Sequence, residues 1–214
     1  MTNEEIKILK EKYFIGDGYT FAGGYEHRYD PESSAVAYSL IRHFKPTSCL
    51  EIGTWYGGST SFIMAALLKN EKVFWFIASE LLEDNIKKTR QNVYEKCQYV
   101  PYLVGDITKN LDKVPESLDF LFLDSDHDEK VTAWIVDNIF SRLKEGALVA
   151  IHDWAVEDVN GKWIGKGDKG IGGWPETQYL MNLHEQGKLP LEKLYWNWHN
   201  PGSYEASFWI YKKI

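Results

Sequence analysis

The hydrophobic pattern of this chain changes period several times, and each change marks an element. An early helix is expected over residues 5–13. Val36, Ala37, Leu40, Ile41 and Phe44 then recur at helical spacing. That stretch opens at Asp30-Pro31, an N-cap residue followed by a proline at the first helical position, and closes at Lys45-Pro46. A short apolar run ends at Leu50 and Ile52, and Gly53, Gly57 and Gly58 interrupt it. A helix is expected over 59–70, apolar at Phe62, Ile63, Ala66 and Leu67. Residues 72–79 (K-V-F-W-F-I-A-S) run apolar without a break, as expected of a strand covered on both faces.

Leu82, Ile86 and Val93 mark the next helix, and residues 99–104 and 118–123 read as the third and fourth strands. Val131, Trp134, Ile135, Ile139 and Leu143 stripe a further helix, with Gly146 as its cap and 147–151 as the fifth strand. After Asp153 the pattern loosens. Residues 161–173 form a Gly- and Lys-containing loop, long enough to be a candidate lid. Pro175 starts a helix through Leu180 and Leu183 that Gly187 ends. Residues 191–198 and 206–211 read as two closing strands around a Pro201-Gly202 turn.

Strands alternating with helices predict an α/β fold, a mainly parallel sheet with helices on both faces. In such sheets ligands bind beyond the carboxyl ends of the strands. All five ends carry a carboxylate here: Glu51, Glu80, Asp106, Asp124 and Asp153. An acid at one end is an ordinary helix cap; acids at all five suggest a site. Residues 1–214 are expected to form one domain: an N-terminal helical cap region (1–45), a ligand-binding core (46–154) and an acceptor-side loop, helix and closing strands (155–214).

Composition narrows the partners. A net charge of -7 argues against a nucleic-acid backbone. No apolar run is long enough for a bilayer, and the polar start (Thr2, Asn3, Glu4, Glu5) lacks signal-peptide form, so the expected location is cytoplasmic with no membrane partner. The two cysteines, Cys49 and Cys97, lack metal-type spacing and are expected to be reduced. The chain is rich in aromatics, with 9 Trp and 13 Tyr, several of them in Gly-rich stretches.

The glycine turn E-I-G-T-W-Y-G-G-S-T (51–60) is the most specific feature. A nucleotide P-loop needs a Lys before Ser or Thr, and none follows Gly58. A dinucleotide wants G-x-G-x-x-G, and the close first pair is missing. S-adenosylmethionine carries a cationic sulfonium and no phosphate, and suits an acidic, lysine-free turn better. Glu80 follows at about the spacing at which an acid grips a ribose diol, roughly 20 residues.

Taken together, E-I-G-x-x-x-G-G-S-T, Glu80, Gly105-Asp106, F-L-D-S-D-H (122–127) and L-K-E-G-A-L-V-A-I-H-D (143–153) resemble a class I methyltransferase that uses S-adenosylmethionine. The chain is most similar to the small-molecule O-methyltransferases of the catechol type and to the macrocin-type and cephalosporin-hydroxylase-like branches. The likeness spans residues 30–154, with the closing strands in agreement. It implies a Rossmann-like, doubly wound seven-stranded sheet, mainly parallel, with an antiparallel C-terminal hairpin. It implies that Glu51, Gly53, Thr54, Tyr56, Gly57 and Ser59 line the methionine half of the cofactor, that Glu80 accepts the ribose hydroxyls, and that Asp106 and Ile107 face the adenine, with Asp124 also at the cofactor.

Methyl transfer to a hydroxyl needs a proton acceptor, and two devices are open. One is a histidine base, for which His127, standing where the catechol-type enzymes carry a lysine, is the favoured residue and His152 the alternative. The other is Mg²⁺, for which the resemblance points to Asp124 and Asp153; Trp154 stands where those enzymes place a further oxygen ligand. Asp126 and His152 are the stand-ins for that ligand. Trp154 and Trp174, with Trp163, Trp198 and Tyr204, are candidate acceptor walls, and Lys166 and Lys169 could meet an anionic acceptor. The expected activity is O-methylation of a small molecule or sugar, by a monomer or homo-oligomer. The rival readings are an NAD(P)-binding oxidoreductase and a non-catalytic S-adenosylmethionine-binding protein. The Asn/Asp-Pro-Pro-Tyr/Phe pattern of N-methyltransferases is absent from the fourth strand end.

Overall fold

The continuous apolar runs become the middle of a seven-stranded sheet in the computed structural model, which describes residues 1–19, 31–92, 95–125, 128–152, 156–157, 163–164, 175–189, 191–197 and 208–214. The helices are α1 (Asn3–Leu9), α2 (Pro31–Phe44), α3 (Gly58–Lys69), α4 (Glu83–Asn92), α5 (Glu129–Asn138) and α6 (Pro175–Glu185). The strands of the main sheet are β1 (Ser48–Ile52), β2 (Trp75–Glu80), β3 (Tyr102–Val104), β4 (Leu118–Leu123) and β5 (Leu143–His152), then β8 (Leu191–Asn197) and β9 (Phe208–Lys213). Between β5 and α6 lies a small antiparallel ribbon of β6 (Val156–Glu157) and β7 (Trp163–Ile164). The sheet order is β3-β2-β1-β4-β5-β9-β8. The first five strands are parallel to their neighbours, and β9 runs antiparallel to both β5 and β8. The expected mainly parallel, doubly wound sheet with its antiparallel C-terminal pair is therefore present.

The period of two along each strand splits the core. Cys49, Phe76, Phe120, Phe122, Leu148 and Ala150 pack with Tyr38 and Ile41 of α2 and Phe62, Ile63 and Leu67 of α3. Leu50, Ile52, Ile77, Leu121, Leu123, Val149 and Ile151 pack on the other face with Ile135 of α5 and Leu180 of α6. Because both faces are covered, the strands read as unbroken apolar runs rather than alternating ones. Glu51 shares the parity of Cys49, so it projects toward the α2/α3 layer, which matters below.

Several boundaries differ from the sequence reading, among them the second strand, which begins at Trp75 rather than at residue 72 and leaves Val73 95% exposed. The first helix starts earlier: Thr2 and Glu5 form a capping box at α1, and a π-helical segment (Lys10–Ile15) follows it. The third strand is only Tyr102–Val104, because Glu95–Tyr99 winds as a 3₁₀ turn ahead of Pro101, whose ring nitrogen has no proton to donate to a ladder. The stripe ending at Leu143 is not one helix. α5 stops at Asn138, Phe140–Arg142 forms a 3₁₀ turn, and Leu143 already pairs with Leu118 in the sheet. Gly146 consequently does not cap a helix. It lies inside β5 with φ 80°, where the β4–β5 register jumps from Leu118↔Leu143 to Phe120↔Leu148. A left-handed residue in such a bulge is where glycine is needed. The expected N-cap Asp30 and most of the 161–173 loop lie outside the described residues. Among the described residues no helix is long and apolar enough to cross a membrane.

Candidate functional site

Gly53 ties three strand ends together. Its N–H donates to Ser79 O of β2 at 2.9 Å, and Asp124 N donates to Ile52 O at 2.8 Å. Gly53 has φ 86°, and a Cβ built on it would sit 1.7 Å from Asp124 O. Only a glycine lets β1 turn away at this point while β4 passes alongside. One strand further, Gly105 N donates to Glu80 O at 2.9 Å, so the carboxyl ends of β3, β2, β1 and β4 form one continuous lip.

The turn beyond Gly53 is closed by Gly57 N donating to Thr54 O at 2.7 Å. Gly57 is the N-cap of α3, with φ 86° and no side chain to offer the helix. By helix geometry the first amides of α3 have no acceptor within the helix; Ser59 and Thr60 are fully buried, and Gly58 is the partly exposed residue of this first turn. Within the turn Trp55 has φ 47°, an uncommon conformation for a bulky residue, and its indole is half exposed beside Tyr56, with ring centroids 5.0 Å apart.

Glu80, at the end of β2, is 7% exposed and supports this turn. Its Oε2 accepts from Thr54 N (3.2 Å), Thr54 Oγ1 (3.3 Å) and Trp55 N (2.8 Å). Its Oε1 accepts from Leu82 N (3.0 Å) and Asn85 Nδ2 (3.1 Å). The carboxylate thus fixes the turn to the entrance of α4 and stands at the lip where a ribose diol is expected.

Glu51, Thr54 and Ser59, expected to line the methionine half, are fully buried and lie beneath the turn. Glu51 accepts hydrogen bonds from Ser59 Oγ and, at 2.7 Å, from Thr60 Oγ1, so it anchors the first turn of α3 from inside. Burial pushes the Glu51 carboxyl up to about 8, against the opposing pull of the Ser59 and Thr60 hydroxyls. Its folded value lies above its ordinary 4.5, so the stability it confers is complete below about pH 4.5 and is lost as the pH rises toward about 8. Glu51→Gln removes that slope. Thermal melts across this window should show the variant gaining on the wild type as pH rises, with no further change above about pH 9. A constant gap between the two would sink this assignment.

On the adenine side, Asp106 caps a short 3₁₀ turn, accepting from Thr108 N (2.9 Å) and Thr108 Oγ1 (2.7 Å). These bonds hold its carboxyl below the usual range. Ile107 is 5% exposed and belongs to the core on the α5 side, so Asp106, not Ile107, offers polar atoms at this end of the lip.

Asp124 and His152 close the other side. They end the adjacent strands β4 and β5, and His152 Nδ1 lies 3.1 Å from Asp124 Oδ1, with side-chain exposures of 8% and 16%. At that separation the carboxylate and the imidazole form a close pair. Asp126, His127, Asp153, Trp154 and Trp174 lie outside the described residues, as do Lys166, Lys169, Trp198 and Tyr204; Trp163 is described only as backbone of β7. Among the described residues no group of three His, Cys, Asp or Glu could hold a metal ion. Of the expected magnesium ligands, Asp124 and the stand-in His152 are described and face each other, while Asp153 and Asp126 lie outside the described residues.

The sequence pattern overlooked one contributor, the face of α4 against the turn. Asn85 donates to Glu80, Lys88 Nζ reaches Tyr56 Oη at 3.0 Å, and Thr89 packs against Gly57. The available signal was Thr89 itself, a polar residue in the Leu82, Ile86, Val93 stripe.

Residues 50–154 match the family model described as a methyltransferase domain. No curated protein matches the chain by sequence. Solved structures similar to it include the O-methyltransferase from Bacillus cereus in complex with SAH, at TM-score 0.64 and 14% identity over 100% of this chain and 92% of that one. The O-methyltransferase TomG from Streptomyces achromogenes, involved in tomaymycin synthesis and solved in complex with SAM, gives TM-score 0.59 and 17% identity over 100% and 91%. A methyltransferase from Geobacter sulfurreducens gives 0.59 and 14% over 98% and 88%. At these identities the structural likeness speaks to the fold, and the family match to the chemistry.

Proposed function

We propose that this chain is a class I methyltransferase that uses S-adenosylmethionine, a reading that the methyltransferase-domain match over residues 50–154 supports, and that it methylates a hydroxyl oxygen on a small molecule or sugar. The observation that carries the oxygen acceptor is the Asp124–His152 pair on the same strand-end lip as the glycine turn. The fit to the cofactor rests on the donor set. In this reading the start of α3 at Gly57 and Gly58 meets the methionine carboxylate, and Glu80, at the end of β2, takes the ribose hydroxyls. When bound, S-adenosylmethionine supplies an electrophilic methyl carbon whose bond to sulfur breaks, with its electron pair, as the acceptor oxygen bonds to that carbon.

The chain's own residues do the rest. The Gly53–Gly57 turn seats the methionine half against α3. His152, oriented by Asp124, takes the hydroxyl proton, and in this reading His127 is the second candidate for that role. Asp106 closes the adenine end. The solved relatives named as O-methyltransferases support oxygen rather than nitrogen as the acceptor atom. We extend the proposal to a partner set of small hydroxylated molecules, with neither nucleic acid nor membrane, a cytoplasmic setting, and a single domain whose 155–214 segment faces the acceptor.

The test has two stages. Calorimetric titration with S-adenosylmethionine and with NAD should show binding of the former alone. Incubation with phenols, catechols and sugar glycosides, with and without a chelator, should then yield SAH and an O-methyl ether, identified by mass spectrometry. His152→Gln should lower kcat by about a hundredfold or more with cofactor affinity within threefold of wild type, in the range removed with a general base. Binding of NAD instead, or a methyl group found on nitrogen, would overturn the proposal, and loss of turnover with the chelator would return the proton-transfer role to a metal.

A further inference from the structure

Trp55 holds a left-handed backbone that a bulky side chain rarely adopts, and it is pinned at both peptide ends. Its N–H donates to Glu80 Oε2 at 2.8 Å. Its carbonyl lies 3.2 Å from Thr89 Oγ1, whose single proton is shared with Asn85 O at 3.0 Å. Thr89 is fully buried although α4 is otherwise largely polar. Its methyl group fills the hollow over Gly57, where a Cβ would come within 2.3 Å of Thr89 Cγ2. On the same face, Asn85 and Lys88 reach Glu80 and Tyr56. One helix face therefore touches four parts of the turn: the acid beneath it, the Trp55 carbonyl, Gly57 and the Tyr56 hydroxyl.

We propose that Thr89, with Asn85 beside it, is a positioning residue for cofactor binding. Its hydroxyl holds the Trp55 peptide, so the turn is preformed before ligand arrives, while its methyl group only fills the hollow over Gly57. The cofactor's identity rests on the reading above, but the claim about the turn does not. Preorganisation lowers the ordering cost at binding, so loss of the hydroxyl should appear in affinity more than in stability.

Thr89→Val keeps the shape and removes the hydroxyl, and Thr89→Ser keeps the hydroxyl and removes the methyl group. In the ligand-free protein, hydrogen exchange of the 54–57 amides, read by mass spectrometry, should accelerate in Thr89→Val and stay near wild type in Thr89→Ser. The SAH dissociation constant should rise about tenfold in Thr89→Val, the equivalent of one hydrogen bond, and by less than threefold in Thr89→Ser. Melting temperatures should be similar in the two. Unchanged exchange in Thr89→Val, or equal effects in both variants, overturns the inference. Should Thr89→Val fail to fold, Asn85→Ala decides: faster exchange of the 54–57 amides supports the clamp, and wild-type exchange overturns it. If the wild type binds no SAH, the methyltransferase reading falls while the exchange result still judges the clamp.

Discussion

Gly53→Ala is expected to leave little folded protein. A Cβ at this residue would lie 1.7 Å from Asp124 O and 2.6 Å from Asp124 C, both backbone atoms of the neighbouring strand end. Neither can swing aside as a side chain can, so β1 and β4 must separate where Asp124 N donates to Ile52 O. The left-handed φ of 86° adds strain for any residue with a Cβ, about 1–2 kcal/mol. Separating the strands puts the change in the exceptional class above about 4 kcal/mol. Against a typical total stability of about 5–15 kcal/mol, most molecules would unfold or retain a distorted turn. Gly105→Ala is the control: φ is 91° there, but nothing lies within 4 Å of the added carbon. It should cost only the backbone strain. Soluble yield and a circular-dichroism melt of the pair decide it. A Gly53→Ala protein melting within a few degrees of Gly105→Ala would mean that the three strand ends do not meet as described.

Glu80→Gln should abolish useful cofactor binding without abolishing the fold. Two carboxylate oxygens here receive five donors, from Thr54 N, Thr54 Oγ1, Trp55 N, Leu82 N and Asn85 Nδ2. Glutamine offers one acceptor oxygen and one NH₂ group. Whichever way the amide turns, its N–H groups confront either the Thr54/Trp55 set or the Leu82/Asn85 set. Leaving such partly buried donors without an acceptor costs about 1–3 kcal/mol. The strained Trp55 peptide then loses its anchor, and in the proposed reading a ribose diol loses a charged acceptor. We expect a melting temperature lowered by several degrees and S-adenosylmethionine affinity reduced by about a hundredfold or more, equivalent to about 3 kcal/mol. Calorimetry on the folded variant checks both. Affinity within threefold of wild type would remove Glu80 from the cofactor site.

The two changes separate two kinds of glycine-turn function. Gly53 is required because backbone passes where a side chain would be. Glu80 is required because backbone amides in a left-handed turn need a common acceptor. Neither role is visible in the residue type alone, yet both residues stood out in the sequence, since a glycine after an apolar run and an acid at the next strand end are the features a strand–turn–helix ligand site needs.

Amino-acid order by itself determined the α/β class, the succession of strands and helices, the acids at the strand ends and the glycine turn. Hydrophobic period and punctuation by Gly, Pro and Asp are local properties, and local chemistry writes them. It also carried the family resemblance through motifs in the right order. Only the tertiary structure decided the rest. Leu143 belongs to a strand and Gly146 to a bulge because the β4–β5 pairing continues past the point where periodicity suggested a helix. Glu51 turns inward to Ser59 and Thr60 because strand parity, not its chemistry, sets the face on which it emerges. Trp55 enters the site through a left-handed φ that no local pattern encodes, held by Glu80 from 25 residues away in the chain and by Thr89 from 34 away. Asp124 and His152 meet at 3.1 Å because β4 and β5 are neighbours in the sheet. Contacts of that separation follow from strand order and packing, which a one-dimensional pattern does not contain.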